Sequence, residues 1–262
     1  DKPLFVFLPG MDGTGTLLRN QLAGLAPWFD IRCLAIGAED HTQWKPLARQ
    51  VGHLIGQTLK ASAKSANGGP RRMVYLCGES FGGCLAMQLL ALFPQLFDRV
   101  ILVNPASSFR RLPWMQLGPL ITRQLPNLAY RYSALGLVPF LIESYRVEKS
   151  DRRALEQAMG SVPAKTASWR LELLSKFDAE RLPLEHIDYP VLLIVGSKDR
   201  LLPSKREAQM LVRRFPNAKM PLLQRSGHAC LLEAEVKLGE ILKTHRFLPN
   251  HSPSHLSTDA DH

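Results

Sequence analysis

The chain has 262 residues, 45% of them apolar, and a formal net charge of +10 at pH 7. This length and apolar content fit one large α/β domain with insertions, with enough apolar side chains to cover both faces of a sheet. The positive charge would suit a nucleic-acid partner, but the sequence has no run of five basic residues and no basic patch interleaved with aromatic residues. We therefore expect no nucleic acid among its partners.

The four cysteines show no C-x-x-C spacing, and three of them lie in apolar stretches typical of strands or helices. This usage favours a reducing compartment. No apolar run approaches the length of a membrane-spanning helix, and the N-terminus has no signal-peptide core, so we expect an intracellular, cytoplasmic location without a transmembrane segment. The chain opens on Asp1 and enters its first strand by Leu4, from which we expect that a segment upstream has been removed.

Short apolar runs alternate along the chain with amphipathic helical patterns. We predict strands at residues 4–8, 31–36, 73–77, 100–103, 191–195 and 220–223. We predict helices at residues 17–26, 46–63, 83–93, 204–215 and 231–246, and a turn at 67–70. Such alternation indicates a mainly parallel sheet with helices on both faces, and the continuous apolar character of the strands agrees with burial of both faces.

The first strand leads into a glycine-rich loop, Leu-Pro-Gly-Met-Asp-Gly-Thr-Gly at residues 8–15. A loop of this kind could cradle a phosphate, but it lacks the Lys-Ser/Thr ending of a P-loop and the full spacing of a dinucleotide fingerprint. Its glycines would instead let the backbone fold back beside a neighbouring strand.

The third strand leads into Gly-Glu-Ser-Phe-Gly at residues 78–82, and a helical pattern follows. A G-x-S-x-G sequence between a strand and a helix is typical of a nucleophile elbow, in which small flanking residues let a serine stand on a tight turn. We therefore predict that Ser80 is a nucleophile. The oxyanion hole of such a site combines the amide after the nucleophile with one from the loop after the first parallel strand, which indicates the amides of Phe81 and Met11.

The rhythm of strands and helices breaks between residues 106 and 165. This stretch carries apolar helical pieces, prolines and aromatic residues, with nine Lys or Arg residues against four acidic ones. We predict a helical cap over the site, whose apolar and basic character would suit a long-chain substrate and peripheral contact with an anionic lipid surface. A packed helical insertion with a solvated basic face explains the same composition.

A serine nucleophile needs an imidazole to accept its proton and a carboxylate to orient that imidazole. In this arrangement of strands the acid comes next along the chain and the histidine last. Asp199 follows the fifth predicted strand and His228 follows the sixth, so we predict both as catalytic. Asp199 could also be only a turn residue, and His228 only a loop histidine. Asp178 and Asp188 lie in a helix or before a strand and are weaker candidates for the acid.

The sequence beyond residue 248 is polar and unpatterned, so we assign residues 1–248 to one domain and expect a disordered tail at 249–262. The three histidines of this tail could suggest a metal site, but no cysteine or carboxylate cluster accompanies them. We expect no metal, and the chemistry predicted above needs no organic cofactor.

These motifs resemble the α/β-hydrolase superfamily over nearly all of the domain, and more narrowly the hydrolase domain of phytyl ester synthases from plants and cyanobacteria, within the esterase/lipase/thioesterase group. The narrower resemblance rests on five stretches: LPGMDGTG at 8–15, GESFGG at 78–83, VNPASSF at 103–109, GSKDRLLP at 196–203 and SGH at 226–228.

The resemblance implies an α/β-hydrolase fold with a cap insertion and a plastid or thylakoid-associated location. It also implies enzymes that move fatty acyl groups onto phytol or diacylglycerol, or release them from galactolipid or thioester donors. The plant proteins resemble a fusion to a second, acyltransferase-like domain with an H-x-x-x-x-D motif, and no histidine of this sequence is followed by an aspartate at that spacing.

Together these residues predict a serine-dependent hydrolase that acts on an apolar acyl ester or thioester through an acyl-enzyme intermediate. We expect Gly10, Asp12 and Trp114 to contact the substrate, although the side chain of Asp12 could simply organise its turn. Two alternatives stay open: an acyltransferase in which phytol or diacylglycerol replaces water, and a non-catalytic binding protein on the same scaffold, which the presence of Ser80, Asp199 and His228 disfavours.

Overall fold

Seven parallel strands form the centre of the computed structural model. The structure describes residues 2–65 and 71–249, except for the side chains of residues 63–65 and 114. The strands are β1 (Leu4–Leu8), β2 (Asp30–Cys33), β3 (Val74–Glu79), β4 (Arg99–Val103), β5 (Val191–Gly196), β6 (Ala218–Lys219) and β7 (Leu222–Leu223). Their order is β2-β1-β3-β4-β5-β6, and β7 pairs with the end of β5.

Helices cover the sheet. They are α1 (Arg19–Leu25), α2 (Trp44–Ser65), α3 (Phe81–Leu92), α4 (Gly118–Gln124), α5 (Asn127–Gly136), α6 (Val138–Leu141), α7 (Lys149–Ser161), α8 (Ala164–Lys176), α9 (Ser204–Val212) and α10 (Leu238–Thr244). Short 3-10 helices lie at Thr16–Leu18, Pro94–Leu96, Ala106–Arg111, Pro113–Leu117, Ala179–Arg181, Leu184–His186 and Cys230–Leu232. Within residues 2–65 and 71–249, none of the helices combines the length and the apolar character needed to span a bilayer.

Alternate side chains of the central strands enter two separate apolar cores, one on each face of the sheet. In β1, Phe5 and Phe7 pack on the face covered by α1 and α10, whereas Leu4, Val6 and Leu8 pack on the face covered by α2 and α3. Each buried aromatic or aliphatic side chain contributes roughly 1.5–3 kcal/mol to folding. The prediction of a mainly parallel sheet buried on both faces is confirmed.

The connection between β4 and β5 holds five of the helices, from α4 to α8. The stretch predicted as a cap, residues 106–165, begins with the 3-10 helix at Ala106–Arg111, and helical structure continues beyond residue 165 to the end of α8. The division of residues 1–248 into a domain with a cap insertion stays a prediction. The predicted turn at 67–70 and all but the first residue of the predicted tail lie outside the described residues.

The structure corrects two predicted elements. Of the strand expected at 220–223, only Leu222 and Leu223 form a strand, β7. The preceding strand β6 ends at Lys219, and Pro221, which lies between the two, has no N–H to donate to the sheet. The helix expected at 231–246 is reduced to a 3-10 turn and α10. Residues between them leave the helical path because Glu233 forms a bridge with Val147 and the side chain of Gln21 binds the backbone of Val236 at 2.9 Å.

The first turn of α3 packs directly against the end of β1. A Cβ atom at Gly82 would lie 2.0 Å from the carbonyl oxygen of Leu8 and 2.6 Å from that of Pro9. A Cβ atom at Gly78 would lie 2.4 Å from the carbonyl oxygen of Gly82. Both positions require glycine because backbone atoms occupy the space of a side chain, and this fixes the β3–α3 turn against the loop after β1.

We predict that Gly82→Ala lowers the free energy of unfolding by roughly 2–4 kcal/mol, because the new methyl group would overlap backbone carbonyls. Gly56→Ala is the matched control, since it lies within α2 and nothing lies within 4 Å of its Cβ position. That control should stabilise the protein by up to about 1 kcal/mol through helix propensity. Equilibrium unfolding in urea measures both variants, and equal stabilities would contradict the packing argument.

Candidate active site

Ser80 lies on the turn between β3 and α3 with a left-handed backbone, φ 52° and ψ −112°. A residue with a side chain adopts such angles rarely and at a cost of about 1–3 kcal/mol. Hydrogen bonds hold the turn: the Ser80 amide donates to the carbonyl of Val103 at 3.0 Å, and the Ser80 carbonyl accepts from the amides of Gly83 and Ala106, each at 3.0 Å. The serine side chain therefore stands clear of both flanking elements.

The structure brings Ser80, His228 and Asp199 into one chain of hydrogen bonds. His228 Nε2 lies 2.8 Å from Ser80 Oγ, and His228 Nδ1 lies 2.7 Å from Asp199 Oδ2. The Asp199 carboxylate also accepts from the amides of Leu201 and Leu202, each at 2.9 Å, and from the hydroxyl of Ser204. Asp199 is thus fully engaged and orients the imidazole toward the serine.

The electrostatics of this chain favour a charged pair. Burial of the His228 ring lowers its pKa, but attraction to Asp199, their hydrogen bond and attraction to Glu79 together raise the pKa above the usual 6.5. Burial raises the pKa of Asp199, yet attraction to His228 and hydrogen bonds from His228, Ser204 and the Leu202 amide bring that pKa below its usual value. The site can therefore hold a carboxylate beside an imidazolium.

Glu79, the residue before Ser80, is a second carboxyl group beside this chain and is 6% exposed. Burial raises its pKa, attraction to His228 lowers it, and repulsion from Asp12 raises it again, with a result of about 7. Its charge therefore changes in the pH range in which a histidine base operates. The sequence motif places Glu79 next to the nucleophile but does not indicate this burial.

The loop after β1 lies beside the serine. A Cβ atom at Gly10 would lie 3.8 Å from the Cβ of Ser80, so the backbone of Gly10 borders the predicted substrate position. Among the described residues, neither the Met11 amide nor the Phe81 amide has a hydrogen-bond partner. The Phe81 ring stacks on Trp44 with ring centroids 4.7 Å apart, which holds its backbone at the start of α3.

Of the other predicted contacts, Asp12 has a local role in the structure. Its carboxylate accepts hydrogen bonds from the amide of Thr14 at 2.9 Å and from the hydroxyl of the same residue, as in an Asx turn. The side chain of Trp114 lies outside the described part of the structure. No group of three or more His, Cys, Asp or Glu residues in the described ranges is arranged to hold a metal ion.

Asn104 was missed by the sequence analysis as a site residue. It is buried, has a left-handed φ of 39°, and follows β4. Its Nδ2 donates to the carbonyls of His228 at 2.6 Å and Gly227 at 3.2 Å, while its Oδ1 accepts from the amide of Gly196 at 2.9 Å. Asn104 therefore joins the loop of the acid to the loop of the histidine. The only signal in the sequence is a polar residue before proline at a strand end.

Glu233 supports the histidine loop from the other side. Its buried carboxylate accepts from the amide of Gly227 and the hydroxyl of Ser226, each at 2.8 Å, and from Nε of Arg146 at 2.7 Å. Because Arg146 belongs to the segment between β4 and β5, this ion pair also ties that segment to the site.

The end of α6 contacts the same loop directly. The Ala229 amide donates to the Leu141 carbonyl at 2.8 Å, and a Cβ atom at Gly227 would lie 3.0 Å from that carbonyl oxygen. Glu143 accepts a hydrogen bond from Arg200, the residue after Asp199. The helical segment therefore contacts both loops that carry the predicted acid and base.

The sequence matches the model of the family described as serine aminopeptidase, S33, over residues 49–235. The chain belongs to this family. It is therefore an enzyme of the α/β-hydrolase superfamily, as its motifs predicted.

Curated relatives and a solved structure agree with this placement. Phytyl ester synthase 1 (chloroplastic) of Arabidopsis thaliana is 31% identical over 93% of this chain, and the chain spans 37% of that protein's length. The putative carbamate hydrolase RutD of Stutzerimonas stutzeri is 27% identical over 94% of this chain and 92% of its own. The hydrolase olei00960 of Oleispira antarctica superposes with a TM-score of 0.75 over 94% of this chain and 90% of its own, at 15% identity, and so shares the fold.

We predict that Glu79→Gln shifts the acidic limb of the kcat/KM–pH profile to lower pH, by up to about one unit. The imidazole must be neutral to accept a proton, and loss of the Glu79 carboxylate removes an attraction that raises the pKa of His228.

The same substitution should flatten the pH dependence of stability. With its raised pKa, Glu79 contributes stability that is fully present below its unfolded pKa of about 4.5 and is lost as pH rises through about 7.

Glu240→Gln, an exposed substitution on α10, is the control for both measurements. It should leave the acidic limb and the pH–stability curve unchanged. An acidic limb in Glu79→Gln at the wild-type position would argue against electrostatic contact between Glu79 and His228.

Proposed function

We propose that the chain is a serine-dependent carboxylic ester hydrolase. The observation that carries this proposal is the continuous chain of hydrogen bonds from Ser80 Oγ through His228 to Asp199, on a strained turn at the start of α3. Family membership supports hydrolytic chemistry in general, and this geometry supports a serine nucleophile in particular.

In the proposed reaction the Ser80 hydroxyl attacks the ester carbonyl and its proton passes to His228 Nε2. Asp199 stabilises the imidazolium that forms. The Met11 and Phe81 amides donate to the oxyanion of the tetrahedral intermediate. The C–O bond to the alcohol then breaks, His228 returns the proton to the departing oxygen, and an acyl-enzyme remains. Water, activated by the same imidazole, releases the acid and restores Ser80.

We propose an apolar acyl ester or thioester as the substrate, with α4 to α8 as a cap over Ser80. Contacts of the α6 end with the loops of Asp199 and His228 support this placement of the cap. Similarity to phytyl ester synthase 1 supports a lipid substrate. Because that relative is described as chloroplastic, the similarity also supports a plastid location for this chain.

A second candidate function is acyl transfer, in which an alcohol such as phytol or diacylglycerol attacks the acyl-enzyme in place of water. The specific observation in its favour is the 31% identity to phytyl ester synthase 1 over 93% of this chain. The first half of the reaction is unchanged. The two functions therefore differ only in the molecule that resolves the acyl-enzyme.

We predict that Ser80→Ala lowers the hydrolysis of p-nitrophenyl esters by about 10⁴-fold or more, because no other group in the proposed site can form the acyl-enzyme. The substrates should range from acetyl to palmitoyl, with and without phytol, and both p-nitrophenol and phytyl ester are measured. The preferred chain length reports the depth of the acyl pocket. Phytyl ester formed at the expense of free acid would identify a transferase.

Ser62→Ala is the matched control for this experiment. Its hydroxyl donates to the Thr58 carbonyl within α2, and no contact with Ser80, Asp199 or His228 is found for it in the described part of the chain, so it should retain wild-type rates. Ester hydrolysis that survives Ser80→Ala would contradict the proposed nucleophile.

An apolar surface on the proposed cap supports peripheral contact with lipid. Of the twelve large hydrophobic side chains that are exposed in the described part of the chain, eight lie between residues 117 and 145. These eight, here called the apolar cap surface, are Leu117, Leu120, Ile121, Leu128, Tyr132, Leu137, Phe140 and Tyr145, with 45–75% of each exposed. Such a concentration of exposed apolar side chains in one short segment supports an interaction site there.

Positive charge predominates in the sequence around the apolar cap surface. From Arg99 to Ile142 the chain contains five arginines and no acidic residue, and Glu143 is the one acidic residue between Leu117 and Tyr145. Arg123 and Arg131 are exposed and form no ion pair with another described residue. We propose that this surface binds anionic lipid, because apolar side chains enter the interface while arginines attract the headgroups.

We predict that Arg123→Gln with Arg131→Gln weakens binding to vesicles that contain phosphatidylglycerol by about 30-fold, at about 1 kcal/mol for each arginine. Leu120→Asp with Leu128→Asp should abolish measurable binding. Sedimentation with vesicles of phosphatidylcholine, with or without phosphatidylglycerol, measures both effects.

Leu54→Asp is the control, since Leu54 is 56% exposed on α2, outside the proposed cap. It should bind vesicles like the wild type. Equal binding by all four proteins would remove the apolar cap surface as the lipid contact.

A further inference from the structure

Arg170, on α8, is a cation in the interior of the protein, with only 2% of its surface exposed. Its guanidinium lies against the loop after β1. Nη1 donates to the Met11 carbonyl at 2.6 Å, and Nη2 donates to the Gly37 carbonyl at 3.2 Å. A Cβ atom at Gly13 would lie 2.8 Å from Nη1. Burial of a charged group is costly unless hydrogen bonds compensate it, and here the carbonyls of Met11 and Gly37 provide them.

An arginine side chain stays charged in a protein interior. Burial lowers the pKa of Arg170 below its usual value, and attraction to Asp12, Asp40 and Tyr130 offsets part of that shift. A charged donor makes stronger hydrogen bonds to carbonyl oxygens than a neutral one. The restraint on Met11 is therefore strong although it consists of one hydrogen bond.

The loop needs this restraint. It contains two glycines with left-handed backbones, Gly13 and Gly15, both with φ 72°. Its own backbone hydrogen bonds run from the Gly13 amide to the Gly10 carbonyl at 3.1 Å, which holds the peptide group before Met11, and from the Ile36 amide to the Gly13 carbonyl at 2.7 Å. Neither of these two bonds holds the peptide group after Met11. Arg170 holds the carbonyl of Met11 and so restricts rotation of that residue, whose amide is the proposed oxyanion donor.

Helix α8 is itself held in place, which makes it a firm support. Thr166 donates to the Ala38 carbonyl, and Trp44 Nε1 donates to the Leu173 carbonyl at 2.8 Å. Ser168 donates to the Pro119 carbonyl of α4 at 2.8 Å. The guanidinium thus links the loop after β1 to the helices that carry the apolar cap surface.

We infer that Arg170 is a positioning residue that orients the Met11 amide for the oxyanion, an inference that rests on the proposed function. Arg170 touches no reacting atom. It acts from α8, through the Met11 carbonyl, on a donor used in the transition state, so its loss affects the chemical step more than substrate binding.

The test compares Arg170→Ala and Arg170→Lys with Thr166→Val, which lies one turn away on α8 and loses the hydrogen bond to Ala38 without touching Met11. For the alanine variant we expect kcat to fall about 10²-fold, while KM changes by less than about threefold. Affinity for an alkyl boronic acid, which forms a tetrahedral adduct with the serine, should fall by a similar factor. The lysine variant should lie between the alanine variant and the wild type.

Guanidinium ion at concentrations below those that unfold the protein should raise kcat of the alanine variant and leave Thr166→Val unchanged. If the alanine variant does not fold, the kcat of the lysine variant and its affinity for the boronic acid test the inference instead. Wild-type kcat and boronic acid affinity in the Arg170 variants would overturn the inference. A fall in kcat that follows the fall in Tm, and that is equally large in Thr166→Val, would also overturn the inference.

A readout without turnover separates this inference from the proposed function. In protein labelled with 15N-methionine, the Met11 amide, assigned with a Met11→Leu variant, should have a lower order parameter in the Arg170 variants than in the wild type or Thr166→Val. An unchanged order parameter would count against Arg170 as the support of Met11. If the wild type shows no hydrolysis that depends on Ser80, the proposed function fails while this measurement still tests the contact.

Discussion

Ser80 keeps a left-handed backbone because three elements hold the turn from different sides. Its amide and carbonyl bind the end of β4 and the 3-10 helix that follows, and Gly82 lets the end of β1 approach to van der Waals distance. Such a conformation persists only when the surroundings enforce it. The position of the serine hydroxyl, and so its distance to the imidazole, depends on this enforced turn.

The remaining groups of the site are held by buried polar contacts rather than by the sheet itself. Asn104 joins the loops of Asp199 and His228, Glu233 holds the backbone before the histidine, and Arg170 holds the loop after β1. Each of these side chains satisfies backbone groups that burial would otherwise leave unpaired. The parallel sheet brings the strand ends to one edge, and these contacts then set the geometry on the scale of a hydrogen bond.

The periodicity and the motifs of the sequence predict most of this arrangement. Continuous apolar runs predicted the bounds of the central strands to within two residues. The order of the strands and of the loops that follow them indicated Ser80, Asp199 and His228, which the structure joins by hydrogen bonds. The contribution of Asn104 and Arg170 could not be predicted, because a lone asparagine or arginine has no pattern and its partners are distant in sequence. The break between β6 and β7 at Pro221 could have been predicted from the missing N–H.

Helices α4 to α6 and helix α8 differ in their freedom to change. The exposed residues of α4 to α6 pack against little, so most substitutions among them should change the stability only slightly. A substitution in α8 near Arg170 would instead reach the loop after β1. Under the proposed function, substrate preference can therefore diverge through the outer helices, whereas variation around Arg170 on α8 would disturb the loop that carries the proposed oxyanion donor.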